Sequence, residues 1–166
     1  MSFINEFVSF FENLARQHVH ILHQDEEKHF FRLEIEEYLS SIPSSVNFPA
    51  FVLEGFDLSF FDRETNSILK NVNCAFAVLK HLEHEQDVDA IHQIWDECEN
   101  IGLDILVRIY NEKFTRLGLI YKLDFNTVIA NLVANDAGRS YGVRFTFTLM
   151  VRQSHIIDKS KWLDLT

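Results

Sequence analysis

Gly142-Val143-Arg144-Phe145-Thr146-Phe147-Thr148-Leu149-Met150-Val151 is the stretch on which the fold turns. Val143, Phe145, Phe147, Leu149 and Val151 alternate with Arg144, Thr146, Thr148 and Met150. A period of two puts the five apolar side chains on one face of a strand. β-Branched and aromatic residues suit such a pleated, half-buried surface. Just upstream, Asn135-Asp136-Ala137-Gly138-Arg139-Ser140 is rich in turn formers. Phe125 to Val133 is a second strand-like run before that turn. The pair reads as an antiparallel hairpin central to a sheet, with Phe145 and Phe147 buried.

Working outward, Phe51 and Leu53 alternate, then Phe56, Leu58 and Phe60 do so one register later. The switch at Glu54-Gly55 calls for a β-bulge at Gly55, because one extra residue re-aims the side chains that follow. Val72, Cys74, Phe76 and Val78 alternate in turn and complete a second hairpin, with Asp62-Arg63-Glu64-Thr65-Asn66 at its tip. Asp87 is an N-cap for the clearest helix, whose stripe is Val88, Ile91, Trp95, Cys98, Gly102, Ile105 and Ile109. Gly102 on that stripe permits close approach to the sheet. At the start, Ile4, Phe7, Val8, Phe11, Leu14 and Ala15 recur at helical spacing after Ser2, a second N-cap. Phe31, Leu33 and Ile35 suit a strand, followed by a short helix over Glu36 to Ser41 that stops before Pro43. Thr115 to Lys122 leads into the final hairpin, and residues 155–166 form an arm, with Ile156, Ile157 and Trp162 packing in an extended segment.

Strands and helices do not alternate strictly, which indicates an α+β fold. The expected architecture is a single domain over residues 1–166. It has one mainly antiparallel sheet of four or five strands, with the N-terminal and central helices on one face.

Composition narrows the function classes. With 166 residues, 47% of them hydrophobic and sixteen Phe, the chain can build a core and is not disordered. A formal net charge of -10 with scattered basic residues argues against adhesion to nucleic acid or to an anionic membrane. Phe3 to Phe11 is short, lies among acidic residues and has no basic leader, so it reads as no signal peptide. No run is long enough to span a membrane, and a soluble intracellular protein is expected. Cys74 and Cys98 fall inside regular structure and read as buried thiols rather than a disulfide.

Candidate chemistry is sparse. His18, His20, His23 and His29 could offer imidazoles to a transition metal. However, His18, His20 and His23 do not share one helix face, and a surface segment is the expectation. His81-Leu82-Glu83-His84-Glu85 reads as a polar strand exit. No nucleophile elbow or glycine-rich phosphate loop is present, and Cys98 sits on an apolar stripe. Glu34, Glu36 and Glu37 suit a solvated face better than an acid–base pair. No catalytic, cofactor-binding or metal-binding residue is expected, and the Phe surplus points to core plus a partner surface.

Phe125-Asn126-Thr127-Val128-Ile129-Ala130-Asn131, a polar turn, and Tyr141-Gly142-Val143-Arg144-Phe145-Thr146-Phe147-Thr148-Leu149 together resemble the closing hairpin of tail-completion proteins of tailed bacteriophages. The C-terminal segment with Lys161-Trp162 is similar to their ends, and the order of the upstream elements is that of a tail terminator or neck protein. The resemblance implies a ring of identical subunits, commonly six, joining the tail tube to the head connector of a virion assembled in the host cytoplasm. DNA would only pass through its lumen, and neither catalysis nor a cofactor would be involved. Phe3, Phe7, Phe10, the Asp62, Arg63 and Glu64 tip, and Trp162 are the candidate subunit contacts. Two other classes stay open: an enzyme or small-ligand binder using residues 18–29, metal-dependent or not, and an adaptor that binds one protein through its Phe-rich helix.

Overall fold

The computed structural model describes residues 2–40, 46–62, 67–83, 87–116, 119–135, 139–154 and 156–164. Helix α1, Phe3–Gln17, starts at Ser2, whose hydroxyl accepts the Asn5 N–H at 3.3 Å. Strand β1 is Phe30–Arg32, and the short helix α2 is Ile35–Ser40. Strands β2, Ala50–Asp62, and β3, Ser67–His81, form the first hairpin. Helix α3, Val88–Glu112, is capped by Asp87, whose carboxylate accepts the Ala90 N–H at 3.1 Å. Strands β4, Phe114–Arg116, β5, Leu119–Asn135, and β6, Ser140–Ser154, follow, and a 3-10 turn spans Lys159–Lys161.

The fold is α+β. Among the described residues the sheet has six strands in the order β1-β2-β3-β6-β5-β4. Pairing is antiparallel except for β1, which runs parallel to β2. The expectation of four or five strands missed β4, whose three residues are too few to show a period. The sheet curls, bringing Phe56 of β2 and Phe114 and Tyr121 of β4 and β5 onto the same ring, that of Phe3 on α1.

Strand β6 is central, flanked by β3 and β5 along most of its length. Phe145 and Phe147 are buried and lie in the main core with Phe7, Phe11, Phe51 and Phe76. Helices α1 and α3 cover this face of the sheet. The opposite face has a smaller apolar cluster, Ile35, Ala50, Val52, Ala77, Leu79 and Val133, to which α2 contributes Ile35. The rest of that face is uncovered by a helix and mixes polar residues such as Asn73, Thr146 and Thr148 with Phe61, Leu69, Ile129 and Met150. The register of β2 against β3 shifts between Leu53 and Phe56, where the Gly55 bulge was expected. Gly102 meets the sheet so closely that a Cβ there would lie 2.0 Å from Phe145 Cε2.

Three expectations are corrected. Val88 is exposed, and full burial on α3 begins only with Ile94. Ile94, Ile101 and Leu106 carry burial that the stripe assigned elsewhere. The C-terminal arm does not bury its apolar residues: Ile156, Ile157, Trp162 and Leu163 are all exposed. His155, Leu165 and Thr166 lie outside the described residues.

Candidate functional site

The described residues among the expected contacts stand in different environments. Phe7 is only 1% exposed and packs against Phe11 and Phe56, so its ring is used within its own subunit. Phe3 and Phe10 are half-buried against Phe114, with the Lys70 ammonium 4.7 Å from the Phe3 ring centre. Helix α1 thus buries Phe7 and Phe11 in the core and leaves Phe3 and Phe10 partly and Ile4 openly exposed; its position inside a curled sheet accounts for much of the surplus of rings. Asp62 is exposed at the end of β2, while Arg63 and Glu64 lie outside the described residues. Trp162 is exposed on the arm.

What the structure brings out instead is a pair of sheet edges. Strand β1 covers the outer side of β2 only at Phe51, Val52 and Leu53. Beyond the bulge, residues 56–61 have no strand on their outer side among the described residues. Leu58, Phe60 and Phe61 in that window are 44%, 58% and 51% exposed. On the other edge, β4 covers β5 only at Leu119, Ile120 and Tyr121. Residues 129–134 there have no outer strand among the described residues, and Ile129 and Leu132 are 58% and 62% exposed. Tyr110 of α3, itself exposed, packs on Phe125 of β5 at 5.3 Å. A long apolar edge is a template for another strand. One sequence signal could have revealed it. Adjacent Phe60 and Phe61 cannot share a face of a strand, so one of them must leave the core.

The open face carries a polar hollow of about 470 Å³, lined among others by Glu34, Glu54, Asn73, Thr127, Arg144 and Thr148. The Glu54 side chain is 3% exposed and meets Arg144 as a fork, with Nε to Oε1 at 2.6 Å and Nη2 to Oε2 at 2.8 Å. A carboxylate so buried requires such a partner. Donating these hydrogen bonds to Glu54 raises the Arg144 pKa above its ordinary value. Thr148 Oγ1 donates to Asn73 Oδ1 at 3.1 Å. Every charge in this pair is matched, so the hollow has the character of a structural clamp.

The histidine segment is not the surface stretch expected from its sequence. His23 and His29 are 7% and 6% exposed because they anchor the start of β1. The His29 N–H donates to His23 Nδ1 at 3.1 Å, and His29 Nδ1 donates to the Pro49 carbonyl at 2.9 Å. Burial lowers the pKa of His23, and the nearby charge of Arg16 adds to the effect. Burial likewise lowers that of His18, which lies 3.6 Å from Asp104. Glu12, His23 and Asp25 are close enough together to suggest a cation site. Arg16 already bridges the two carboxylates, at 2.7 Å to Glu12 and 2.5 Å to Asp25. With Nδ1 accepting from His29, neutral His23 carries its proton on Nε2, the atom that faces Glu12 at 3.6 Å. A metal ligand would need that lone pair.

Among the described residues no helix is long and apolar enough to cross a membrane. No protein-family model matches the chain, and no curated protein matches it in sequence.

Proposed function

We propose that the chain is a structural protein of a tailed-phage-like particle, a tail terminator or neck protein. In this reading identical copies, six of them, form a ring that joins the tail tube to the head connector. One observation carries it: the sheet has two long apolar edges on opposite sides, and they differ from each other. Two different surfaces that fit one another give heterologous contacts, and these close into rings when the rotation allows. The open face mixes its charges: Arg144 is tied to Glu54, and Lys122 and Arg152 share the face with Asp57 and Asp124, so it is not a uniformly basic track for a phosphate backbone. DNA can pass such a wall without being held. The reading uses no catalytic residue and no cofactor, and it places the protein in the virion.

The test is electron microscopy of particles carrying a tagged copy of the chain, together with native mass spectrometry of the purified protein. The expected result is a ring of copies at the junction of tail and head. A single copy per particle, or a monomer that turns over a small substrate, would overturn the proposal.

A further inference from the structure

We infer that copies of this chain join by antiparallel pairing of the outer edge of β2, residues 56–61, with the outer edge of β5, residues 129–134, in the next copy. Only the closure into a ring rests on the proposed function; the pairing itself rests on the sheet.

The first argument is how little protects the windows themselves. Sheet edges in monomeric proteins are kept short or are blunted with charges, lysine above all, with proline, with bulges or with a covering element; here the bulges stand beside the windows, and Asp57 is the one charge within them. Here β1 and β4 each cover three residues. The windows they leave open read Phe-Asp-Leu-Ser-Phe-Phe and Ile-Ala-Asn-Leu-Val-Ala, without a lysine, arginine or proline.

The second argument is direction. Strand β2 is antiparallel to β3, β3 to β6, and β6 to β5, so β2 and β5 run in opposite senses within one copy. A second copy that continues the sheet from β2, with its helices on the same face, keeps its own strand senses. Its β5 therefore meets β2 antiparallel.

The third argument is phase. Cross-strand partners share a face. Leu58 pairs with core residue Val72, and Leu132 with core residue Val143, so both point to the helical face. Phe61 pairs with Leu69 and Ile129 with Thr146, on the open face. Setting the two windows fully against each other puts Leu58 opposite Leu132, Phe61 opposite Ile129 and Ser59 opposite Asn131. Every pair then matches in face, and exposed apolar side chains meet each other on both faces.

The last argument is stagger. Through β3, Leu58 and Ser59 lie level with Leu149 and Met150 of β6, whereas Asn131 and Leu132 lie level with Arg144 and Val143. The two windows are thus offset by six positions along β6, from 149 to 143. Six residues of rise, about 20 Å, over four strand spacings, about 19 Å, correspond to a strand tilt of roughly 45°. Strands in closed sheets tilt by about 35–45°, so the offset is of the size that closure requires.

The test uses two full-length variants, Ser59→Cys and Asn131→Cys, mixed under mild oxidation. Native Cys74 and Cys98 are buried, and burial pushes the Cys98 thiol up to about 12, so both stay reduced. The expected product is a dimer whose disulfide maps to positions 59 and 131, formed only in the mixture. Leu132→Lys, a charge at an exposed edge position, should weaken self-association by about tenfold while leaving the thermal midpoint unchanged. A disulfide between two copies of Ser59→Cys alone would indicate a symmetric pair and overturn the inference. So would absence of the 59–131 linkage at high concentration with both variants folded by circular dichroism. The two readings separate in the doubly substituted chain. Open ladders linked 59 to 131 support the pairing and sink the ring, whereas closed rings lacking that linkage support the ring and sink the pairing.

Discussion

Replacing Gly102 by alanine sets two effects against each other, and the structure decides which one wins. In a helix interior the change gains about 1 kcal/mol, since glycine loses more backbone entropy than alanine on folding. Gly102 lies well inside the 25 residues of α3, so that gain applies in full. Against it, the added Cβ would sit 2.0, 2.4 and 2.8 Å from three ring atoms of Phe145. Ordinary carbon contacts need about 3.5–4.0 Å, so ring or helix must shift by roughly 1.5 Å. The ring is 2% exposed and packs against Phe76 at a centroid distance of 5.2 Å. Its backbone is held between β3 and β5. Overpacking of this kind costs about 1–3 kcal/mol, and a shift this large in a pinned ring belongs at the upper end. The net loss is about 2 kcal/mol, or roughly 4–8 °C in Tm for a chain of this length. Urea titration followed by circular dichroism, with m unchanged, measures it. The double variant Gly102→Ala with Phe145→Leu should lose about 1 kcal/mol less than the two single losses added, because leucine vacates the contested space. If Gly102→Ala leaves stability unchanged or raises it, the close approach of α3 to β6 is not as described.

Two further tests follow from the charged groups. Arg144→Met leaves the Glu54 carboxylate buried without its fork and should cost about 3–5 kcal/mol. Adding Glu54→Leu should recover most of that loss in the same denaturation assay, and no recovery would mean that the pair is not the source. His18 and His23 have pKa values lowered from 6.5 by burial, so their unfolded forms bind protons first. Stability should be at its plateau above about pH 6.5 and fall as the pH drops below it toward the folded pKa values. His23→Asn, which keeps an acceptor for the His29 N–H, should flatten that fall. A Tm that stays level or rises from pH 7 to 5.5 would refute the assignment.

Much of the fold was legible because its key elements are long and periodic. The alternation in β6, the register change at Gly55 and the Asp87 cap each left a local mark that tertiary contacts did not override. What was hidden depended on contacts far apart in sequence. Strand β4 has three residues and is defined by its partners on β5. His23 and His29 read as surface residues in the sequence, since nothing near them in the chain foretells that His29 bonds the Pro49 carbonyl and His23 the His29 N–H. Phe7 stands both on the apolar stripe of its helix and among the candidate subunit contacts, because the surplus of rings points to a core plus a partner surface, and the sequence does not reveal that a curled sheet buries this ring within its own subunit. The exposed edges were half visible: the Phe60-Phe61 doublet marks one, but Leu132 looks like any other strand leucine until β5 is found to have no outer neighbour at that point.

The two edges share a design that bears on how they act. On β2 the covering strand stops at Leu53, the bulge follows at once, and the exposed window begins at Phe56. On β5 the covering strand pairs at residues 119–121, the register breaks between Asp124 and Ile129, and the exposed window begins there. Each irregularity is fixed by a side chain. Glu34 Oε1 accepts the Gly55 N–H at 3.0 Å. Thr127 Oγ1 donates to the Asp124 carbonyl at 2.7 Å and accepts the Thr148 N–H at 2.9 Å, standing in for the missing backbone partner. A bulge increases local twist and bends its strand, so each one separates a stretch tied to the domain from a stretch directed away from it. Because both breaks are pinned and each window remains in a ladder on its inner side, the outer edges are already ordered before anything meets them. Association then costs little conformational entropy, the condition under which a short interface of backbone hydrogen bonds and a few apolar side chains can hold.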